Sequence, residues 1–394
     1  MVKRHSYPDT WSIGTLEDIC VPNGVVRGPF GGALKKEIFV PFGYKVYEQR
    51  NAIYQSVNIG SYYVNESKYR EMSRFAVKSG DYIISCSGTI GRIYQIPLTF
   101  PKGIINQALL KLTINTEKIN PTYFYKYFQW DKFQQKIIDD TQGGAMKNLV
   151  GMDIFKKAPI VLPEMKEQTA IAEALSDIDG LISSLQKLIE KKKAIKQGAM
   201  QEVLTGKKRL PGFYREWRIV QIGETLSIGH GQSQKTVENR FGKYPILATG
   251  GCIGYANDFL WDKPSVLIGR KGTIDKPQYA DYPFWTIDTL FYTKIFDGYD
   301  AKFIYYKFCM IDWQQYNEAS GVPSLNATTI ENLQIIVPEK DEQQAIAQLL
   351  SDIDSEIEQL EKKLVKYQQI KQGMMQELLT GRIRLKEGEK NACN

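Results

Sequence analysis

The sequence predicts an α+β protein in which two mixed α/β domains alternate with two long helices. Three observations predict this fold class: a long internal repeat, a heptad pattern inside both copies of the repeat, and a weaker duplication of the segments between them. The chain has 394 residues, of which 43% are hydrophobic and 24% charged. This is the composition of a folded protein, and the length allows two or three domains with their own cores.

The repeat begins at Leu162 and returns at Val337, with a constant offset of 175 residues. About 28 of the 48 positions from Pro163 to Leu210 are identical between the copies, including the strings EQxAIA, LSDID and IKQGxMQE. Identity of this extent without a gap indicates a duplication.

Apolar residues within each copy alternate steps of four and three, which is the pattern of a heptad seam. Pro163 and Pro338 stand where a helix can begin, and Gly206 and Gly381 where a left-handed cap can end it. Each copy therefore predicts a helix of about 40 residues, roughly 60 Å long. The predicted seam residues are Ile171, Leu175, Ile178, Ile182, Leu185 and Ile189 in the first copy and Ile346, Leu350, Ile353, Ile357, Leu360 and Leu364 in the second.

The remaining faces of both helices are strongly polar, so we interpret the two seams as pairing with each other in an antiparallel coiled coil. The alternative is that each helix packs on its own globular domain. Short strings that precede each helix also recur, such as WSIGTLEDI at Trp11 and WRIVQIGETL at Trp217. The sequence is thus cyclically repetitive and predicts a pseudo-twofold arrangement with a globular domain at each end of the helix pair.

The predicted boundaries follow from the repeat. They are a first domain at 1–160, a first long helix at 161–206, a second domain at 207–335, a second long helix at 336–381, and a C-terminal tail at 382–394.

Common catalytic and metal-binding patterns are absent from the sequence. There are two histidines, no phosphate-binding loop of the G-x-x-x-x-G-K-[ST] type, and five scattered cysteines without a CxxC pair. We therefore expect neither a catalytic site nor a bound metal. The N-terminal residues lack the apolar stretch of a signal peptide, and no window approaches 18 uninterrupted apolar residues, so we expect a cytoplasmic protein. The net charge of +7 permits a polyanionic partner.

Taken together, the paired P-E-x-x-E-Q-x-A-I-A and I-K-Q-G-x-M-Q-E strings and two divergent domains, each opening with a Trp-containing strand and containing a G-T-I turn, resemble a known family. It is the specificity subunit (S, or HsdS) of type I restriction-modification systems, and the resemblance covers essentially the whole chain. It implies that the two domains are target recognition domains, each of which reads one half of a bipartite, asymmetric site in double-stranded DNA.

The same resemblance implies that the helices set the spacer and dock two methyltransferase subunits and, through them, restriction/translocase subunits. It implies no catalytic activity and no cofactor for this chain. S-adenosylmethionine would serve the methyltransferase subunits, and ATP and Mg the restriction subunits.

Side chains that read bases in pairs of hydrogen bonds are the natural candidates for DNA contacts: Arg or Lys for guanine, Asn or Gln for adenine. The alternative for any one of them is a solvated residue or a phosphate contact without sequence information. The helical spacing of Tyr123, Tyr127, Phe303 and Trp313 favours core packing over base stacking. The predicted DNA-binding residues are Lys35, Lys36, Gln49, Arg50, Asn51, Arg92, Lys147 and Asn148 in the first domain and Gln232, Gln234, Lys235, Arg240, Arg270, Lys271, Ser324 and Asn326 in the second.

Two other functions stay open at this point. A free-standing nuclease or fused methyltransferase would need an acidic metal cluster or a cofactor loop, and the N-P-P-[FYW] motif that holds a flipped adenine is absent. A coiled-coil scaffold or decoy subunit would lack sequence-specific DNA reading altogether.

Overall fold

A computed structural model describes residues 7–139 and 148–385 of the protein. The described residues form two compact units. The first unit contains the chain up to Ser183 and again from Val365 onward, and the second contains Ser184–Leu364. Each unit therefore holds one globular domain and a part of each long helix.

The first unit is a mixed domain of short strands and helices. Its strands are β1 (Ser12–Thr15), β2 (Cys20–Arg27), β3 (Tyr44–Tyr47), β4 (Tyr63–Val64), β5 (Tyr82–Ser85), β6 (Ile93–Gln95), β7 (Gly103–Ile105), β8 (Leu109–Ile114), β9 (Ile138–Asp139), β10 (Asn148–Leu149) and β11 (Pro159–Leu162). Its short helices are α1 (Gln49–Ile53), α2 (Glu66–Glu71), α3 (Pro121–Gln129), α4 (Asp131–Ile137) and α5 (Met152–Lys156).

These strands form two main sheets. The larger sheet has the order β2-β8-β5-β6 and is antiparallel throughout. The smaller has the order β4-β3-β7, in which β3 and β7 run parallel. A third pairing, β1 with β11, joins the beginning and the end of the domain.

The first long helix, α6, spans Met165–Val203 and leads into the second domain. The strands of that domain are β12 (Arg218–Gln221), β13 (Leu226–Gly229), β14 (Tyr244–Ala248), β15 (Gly251–Ala256), β16 (Ser265–Gly269), β17 (Gln278–Ala280), β18 (Trp285–Thr286), β19 (Leu290–Ile295) and β20 (Gln334–Val337). Helices α7 (Ala301–Met310) and α8 (Ala327–Asn332) follow β19, and the second long helix, α9, spans Lys340–Leu378.

The two domains share one topology. The second domain has a sheet of order β13-β19-β16-β17, a sheet of order β15-β14-β18 with β14 parallel to β18, and a closing pair of β12 with β20. Each of these matches a sheet of the first domain strand for strand. The weak sequence duplication therefore corresponds to a duplicated fold of the mixed α/β class.

Both long helices have 39 residues, close to the expected length of about 40. The prolines stand two residues before the first helical residue of each helix. Gly206 and Gly381 have φ values of +72° and +69°, the left-handed conformation that ends a helix and that glycine adopts without strain. The helices thus begin two residues after the predicted prolines and end three residues before the predicted glycines.

An aromatic helix fills the core of each domain. Tyr123 and Tyr127 of α3 are fully buried in the first unit, and Phe303 of α7 and Trp313 are buried in the second. Asn120 and Asp300 begin these two helices by accepting hydrogen bonds from backbone N–H groups of the first turn. The prediction that the four aromatic residues form core rather than a stacking platform is confirmed.

The seam residues are buried or half-buried. Ile171 and Leu175 belong to the core of the first unit, which also contains Met375, Leu378 and Leu379 of α9. The ends of the helices therefore pack on the domains as well as on each other. In the second unit the same relation joins Ile346 and Leu350 of α9 to Met200, Val203 and Leu204. Of the other seam residues, Ile178, Leu185, Ile189 and Ile357 are buried and Ile182, Ile353, Leu360 and Leu364 are half-buried.

A buried carboxylate fixes the start of each long helix. In the first unit, Glu167 of α6 accepts a hydrogen bond from the Trp11 indole N–H (2.9 Å) and two from the Arg384 guanidinium (2.6 and 2.7 Å). Two parallel N–H···O bonds from arginine are among the strongest charge-assisted pairs in proteins. This cluster ties residues near the beginning and the end of the described chain to the first long helix.

The second unit repeats the cluster. Glu342 of α9 accepts from the Trp217 indole N–H (3.1 Å) and from Nε and Nη2 of Arg209 (2.7 Å each). Glu342 and Glu167 occupy the same position of the sequence repeat. The duplication therefore extends to individual buried hydrogen bonds.

Candidate nucleic-acid interface

The candidate interface of the second unit lies at one edge of its four-stranded sheet. Strands β13 and β16 both run antiparallel to β19, so that the ends of β13 and β16 and the beginning of β19 share an edge. The parallel strands β14 and β18 end beside it, because Ile287 N–H donates to the Leu247 carbonyl (3.2 Å). We define the second loop edge as residues 230–232, 249–250, 270–272, 287–289 and 323–326.

Backbone hydrogen bonds bring five of the predicted residues to this edge. Arg270 N–H donates to the Thr289 carbonyl (2.8 Å), and the Arg270 carbonyl accepts from Leu325 N–H (2.9 Å). Lys271 forms an isolated bridge with Ser324. Gln232 N–H donates to the Thr286 carbonyl (2.8 Å). The predicted residues gathered here are Gln232, Arg270, Lys271, Ser324 and Asn326.

The other predicted residues of the second domain lie further along the loop after β13. The Gln234 carbonyl accepts from Val237 and Glu238 N–H, so Gln234 and Lys235 begin a separate turn. Asn239 N–H donates to the Tyr255 carbonyl, and this bond places the next residue, Arg240, beside the beginning of β14. The second loop edge lies at the other end of that strand, and the structure therefore separates Arg240 from it.

The first unit presents the equivalent edge. Strands β2 and β5 run antiparallel to β8, and Gly28 N–H donates to the Leu109 carbonyl (2.9 Å). Cys86 N–H donates to Ala108, and Asn106 N–H to Tyr47 at the end of β3 (2.9 Å each). We define the first loop edge as residues 27–28, 47–50, 86–92 and 106–108.

Three predicted residues belong to the first loop edge. Gln49 and Arg50 begin α1 directly after β3, and Arg92 is exposed in the turn after β5. The side-chain oxygen of Gln49 is buried and has no hydrogen-bond partner among the described residues. A buried acceptor without a partner is uncommon and points to a group that is satisfied by water or a ligand.

Lys35 and Lys36 are exposed, on a segment whose apolar residues Leu34 and Ile38 pack against the three-stranded sheet. Nothing described joins either lysine to the first loop edge. Lys147 lies outside the described residues, and of Asn148 only the backbone is described, paired with Asp139 in the β9–β10 hairpin.

Asn51 requires a correction. The sequence predicted a base-reading amide, but Asn51 is fully buried. Its oxygen accepts from Glu48 N–H, and its nitrogen donates to the Ser56 and Ile59 carbonyls (2.8 Å each). Because these bonds occupy both N–H donors and the oxygen, the side chain stabilises the loop around α1 and has no donor left for a base.

The N-terminal cap of α8 and the turn after β14 add detail to the second loop edge. Asn326 caps α8 by accepting from Thr328 N–H (3.0 Å), but the residue remains exposed. Thr249 lies beside Gly272, where a Cβ atom would approach its hydroxyl to 3.7 Å, and Asp288 is exposed between the two threonines 286 and 289. Thr249 and Asp288, which belong to the second loop edge, are absent from the residues predicted from sequence. Thr249 directly follows β14, and Asp288 lies in the turn between β18 and β19.

The buried thiols carry no nucleophile. Burial raises the pKa of the Cys86 thiol to about 12, although the neighbouring Arg27 guanidinium opposes the shift. Burial and the charge of Glu17 raise the pKa of Cys20 to about 12. Both thiols are therefore protonated at neutral pH. Within residues 7–139 and 148–385, no group of three or more His, Cys, Asp or Glu side chains is placed to hold a metal ion, and no helix is long and apolar enough to span a membrane.

Two copies of one mixed domain with different polar loops at the same sheet edge, linked by two long repeat helices, define a class of duplicated binding proteins. A sequence profile described as the type I restriction modification DNA specificity domain matches residues 8–197 and 214–371. The chain belongs to this family.

Known proteins agree with that assignment. A putative type I restriction enzyme MjaX specificity subunit from Methanocaldococcus jannaschii is 25% identical over an alignment of 411 residues. The alignment, gaps included, covers 96% of this chain and 95% of the relative. The MjaVIII specificity subunit of the same organism is 25% identical over 340 residues, covering 72% of this chain and 75% of the relative.

Solved structures share the fold. The type I restriction-modification S subunit from M. genitalium superposes with a TM-score of 0.60 at 16% identity, covering 96% of this chain and 98% of that chain. The HsdS subunit from Thermoanaerobacter tengcongensis gives a TM-score of 0.52 at 16% identity, covering 97% and 99%. The mixed α/β fold class predicted from the sequence is confirmed at this level.

Proposed function

We propose that the chain is the noncatalytic DNA-specificity subunit of a type I restriction-modification complex and that each domain reads one half of a bipartite, asymmetric site through its loop edge. One observation carries this proposal. The two domains share strand order and register, but their loop edges carry different residues. The first loop edge carries Gln49, Arg50 and Arg92, and the second carries Gln232 and Arg270. Two domains with the same sheets but different hydrogen-bond donors and acceptors at their loop edges are suited to reading two different half-sites.

We further propose that α6 and α9 form an antiparallel coiled coil with pseudo-twofold symmetry. In the second unit, Lys192 pairs with Glu356 (2.7 Å), whereas Lys196, one turn later, pairs with Asp354 (2.6 Å). The partner number falls as the lysine number rises, which is the order expected of antiparallel helices.

The first unit supports the symmetry. Asp179 of α6 pairs with Lys371 of α9 (2.7 Å), and these two positions are the repeat equivalents of Asp354 and Lys196. Burial acts to raise the pKa of Asp179, but hydrogen bonds from Lys371 and Lys126 outweigh it and lower that pKa. The charged form of Asp179 is thus the one that the pairing stabilises.

The partners follow from the proposed function. Two methyltransferase subunits would dock on the repeat helices and carry S-adenosylmethionine, and restriction subunits would join through them with ATP and Mg. The present chain would contribute no reacting group. Its sequence has two histidines, and burial raises the pKa of the Cys20 and Cys86 thiols to about 12.

The test is reconstitution with a methyltransferase subunit of a type I system, followed by mapping of methylated adenines. We expect no methyl transfer from labelled S-adenosylmethionine by the purified chain alone. The complex should modify one asymmetric motif of two half-sites separated by a fixed gap of about 5 to 8 base pairs, because two heads on one face of the duplex lie about one helical turn apart. Binding that weakens steeply with salt and protects no site would instead identify a scaffold or decoy subunit without DNA reading.

A further inference from the structure

Arg27 in the first unit and His230 in the second occupy the same position of the duplicated domain. Arg27 ends β2 opposite Leu110 of β8. Strand β13 pairs Gly229 with Tyr292, so that the next residue, His230, stands opposite Phe291. Leu110 and Phe291 are themselves equivalent, because Ile84 and Ile268 face them from the third strand of each sheet.

The glycine after each of these residues confirms the equivalence. A Cβ atom on Gly28 would lie 1.9 Å from the Asn106 carbonyl oxygen, and one on Gly231 would lie 1.9 Å from the Ile287 carbonyl oxygen. Any side chain would collide with backbone at either position. Each glycine therefore allows the backbone to pack directly against the segment before β8 or β19. This close packing fixes the positions of Arg27 and His230 at the loop edges.

Both domains place a nitrogen-bearing side chain at this position. Arg27 is half-buried, with its guanidinium beside the Cys86 thiol, and His230 is exposed. The Nη1 atom of Arg27 is buried and has no hydrogen-bond partner among the described residues. The His230 ring contacts Phe291 edge to face at 5.0 Å and is exposed on its other side. A buried guanidinium N–H without a partner costs free energy in the unbound protein, which suggests a ligand that supplies the acceptor.

We propose that this strand-end position reads a base pair in each half-site, with Arg27 donating to a guanine in one and His230 contacting a base edge in the other. The inference rests on the proposed function and names a pair of readers that the sequence pattern did not indicate. Arginine pairs with O6 and N7 of guanine by two N–H groups, and Nη1 is the donor that the protein leaves open. The side-chain oxygen of Gln49, which is also buried without a partner among the described residues, belongs to the same loop edge.

The experiment compares Arg27→Met with Arg70→Met in the full chain assembled with its methyltransferase subunit. Methionine retains an unbranched apolar stem in the half-buried site. Arg70 is a matched control because it is exposed on α2 and, within residues 7–139 and 148–385, its ion pair is with Glu66 of the same helix. Methylation rates are measured on duplexes that differ from the mapped motif by one base pair, and melting temperatures are measured without DNA.

We expect Arg27→Met to reduce the preference for one base pair of one half-site by about 5- to 150-fold, which corresponds to about 1 to 3 kcal/mol for a paired base contact. The other half-site should keep its preference, and the melting temperature should not fall, since an unpartnered donor is removed. His230→Ala should relax one position of the opposite half-site. Arg70→Met should change neither preference.

Two results would overturn the inference. A uniform loss of rate on all duplexes with a smaller salt dependence would make Arg27 a phosphate contact. Unchanged preference with a lower melting temperature would make it a structural residue. A wild-type complex that methylates no defined motif would refute the proposed function itself, and this failure is visible before any variant is made.

Discussion

The burial of an ion pair determines how much that pair contributes to the stability of this protein. Glu342 has a side chain only 3% exposed and accepts both N–H groups of Arg209, whereas Glu339 is 53% exposed and pairs with the exposed Arg215. Removing the charge of a buried partner leaves an arginine without its counter-ion, but exposed pairs contribute little.

We therefore predict that Glu342→Gln lowers the free energy of unfolding by about 2 kcal/mol, because donors of Arg209 lose their acceptor, and Glu339→Gln by less than about 0.5 kcal/mol. Urea unfolding of the full chain measures both. Equal effects of the two substitutions would show that the buried cluster is not what anchors α9.

Lys307 makes the stability of the second unit depend on pH. Burial lowers the pKa of Lys307 to about 8, and its ammonium donates to the Leu204 carbonyl near the end of α6 (3.0 Å). The unfolded chain binds this proton up to a pH of about 10.5, so between pH 8 and 10.5 the unfolded state holds more protons and stability rises with pH.

We predict that Lys307→Met is more stable than wild type at pH 7, by up to about 3 kcal/mol, and that this advantage shrinks by pH 10. The measurement is the difference in unfolding free energy between the two proteins across that pH range. Lys302→Met on the same helix is the control for the loss of a lysine that is only half-buried.

Residue roles at the loop edges were only partly predictable from sequence. Polar residue type and turn position predict Arg270, Lys271 and Ser324 as DNA contacts, and the sheet brings these three residues together. Asn51 has the same chemistry but faces inward, because the loop folds over its amide. The role proposed for Arg27 could not be predicted from sequence, because it depends on the register of β2 with β8, a non-local pairing that no local pattern encodes.

The long helices contain two kinds of seam residue. Ile171 packs into the core of the first unit and is fully buried, whereas Ile182 is half-buried and belongs to none of the described core clusters. The cost of truncating a buried residue grows with the cavity that it leaves.

We predict that Ile171→Ala lowers the free energy of unfolding by about 2 to 4 kcal/mol and Ile182→Ala by about 1 kcal/mol. Both substitutions keep helix propensity, because alanine is the best helix former. Denaturant unfolding of the full chain separates the two values. A larger loss for Ile182→Ala would mean that the middle of the seam is packed more tightly than its burial indicates.

Helices were easier to predict than strands. The two 39-residue helices have local signals along their whole length, with a heptad pattern and a left-handed glycine at the end. Strands such as β4 and β18 have two residues each. Their existence depends on partners distant in sequence, and a pattern of two residues carries no periodicity.

In the whole molecule, the two duplicated domains have the same sheets and buried clusters but differ in the residues of their loop edges. The Trp–Glu–Arg clusters and strand orders recur in both units, while the loop edges differ. The repeat made the two-domain organisation predictable from sequence. The order of strands was not, since it arises from pairings across more than 80 residues such as β2 with β8.

This division predicts where the chain can be exchanged without disturbing the rest. Ile222 N–H donates to the Leu333 carbonyl (2.8 Å), so the two ends of the segment 222–333 meet directly after β12 and before β20. Leu16 N–H likewise donates to the Ala158 carbonyl (3.0 Å) in the first unit. Replacing either segment by that of another family member keeps the β1–β11 and β12–β20 pairs, the buried glutamate clusters and both long helices.

We predict that exchanging 222–333 changes one half-site of the methylated motif and leaves the other half-site and the gap unchanged, and that exchanging 16–158 changes the opposite half-site. The reason is that each loop edge is built entirely from residues inside one exchanged segment, whereas the helices proposed to set the gap lie outside both. Mapping of methylated adenines for the two hybrids measures all three quantities together, and each hybrid serves as the control for the other. A hybrid whose motif changed in both halves would show that the two domains do not read DNA independently.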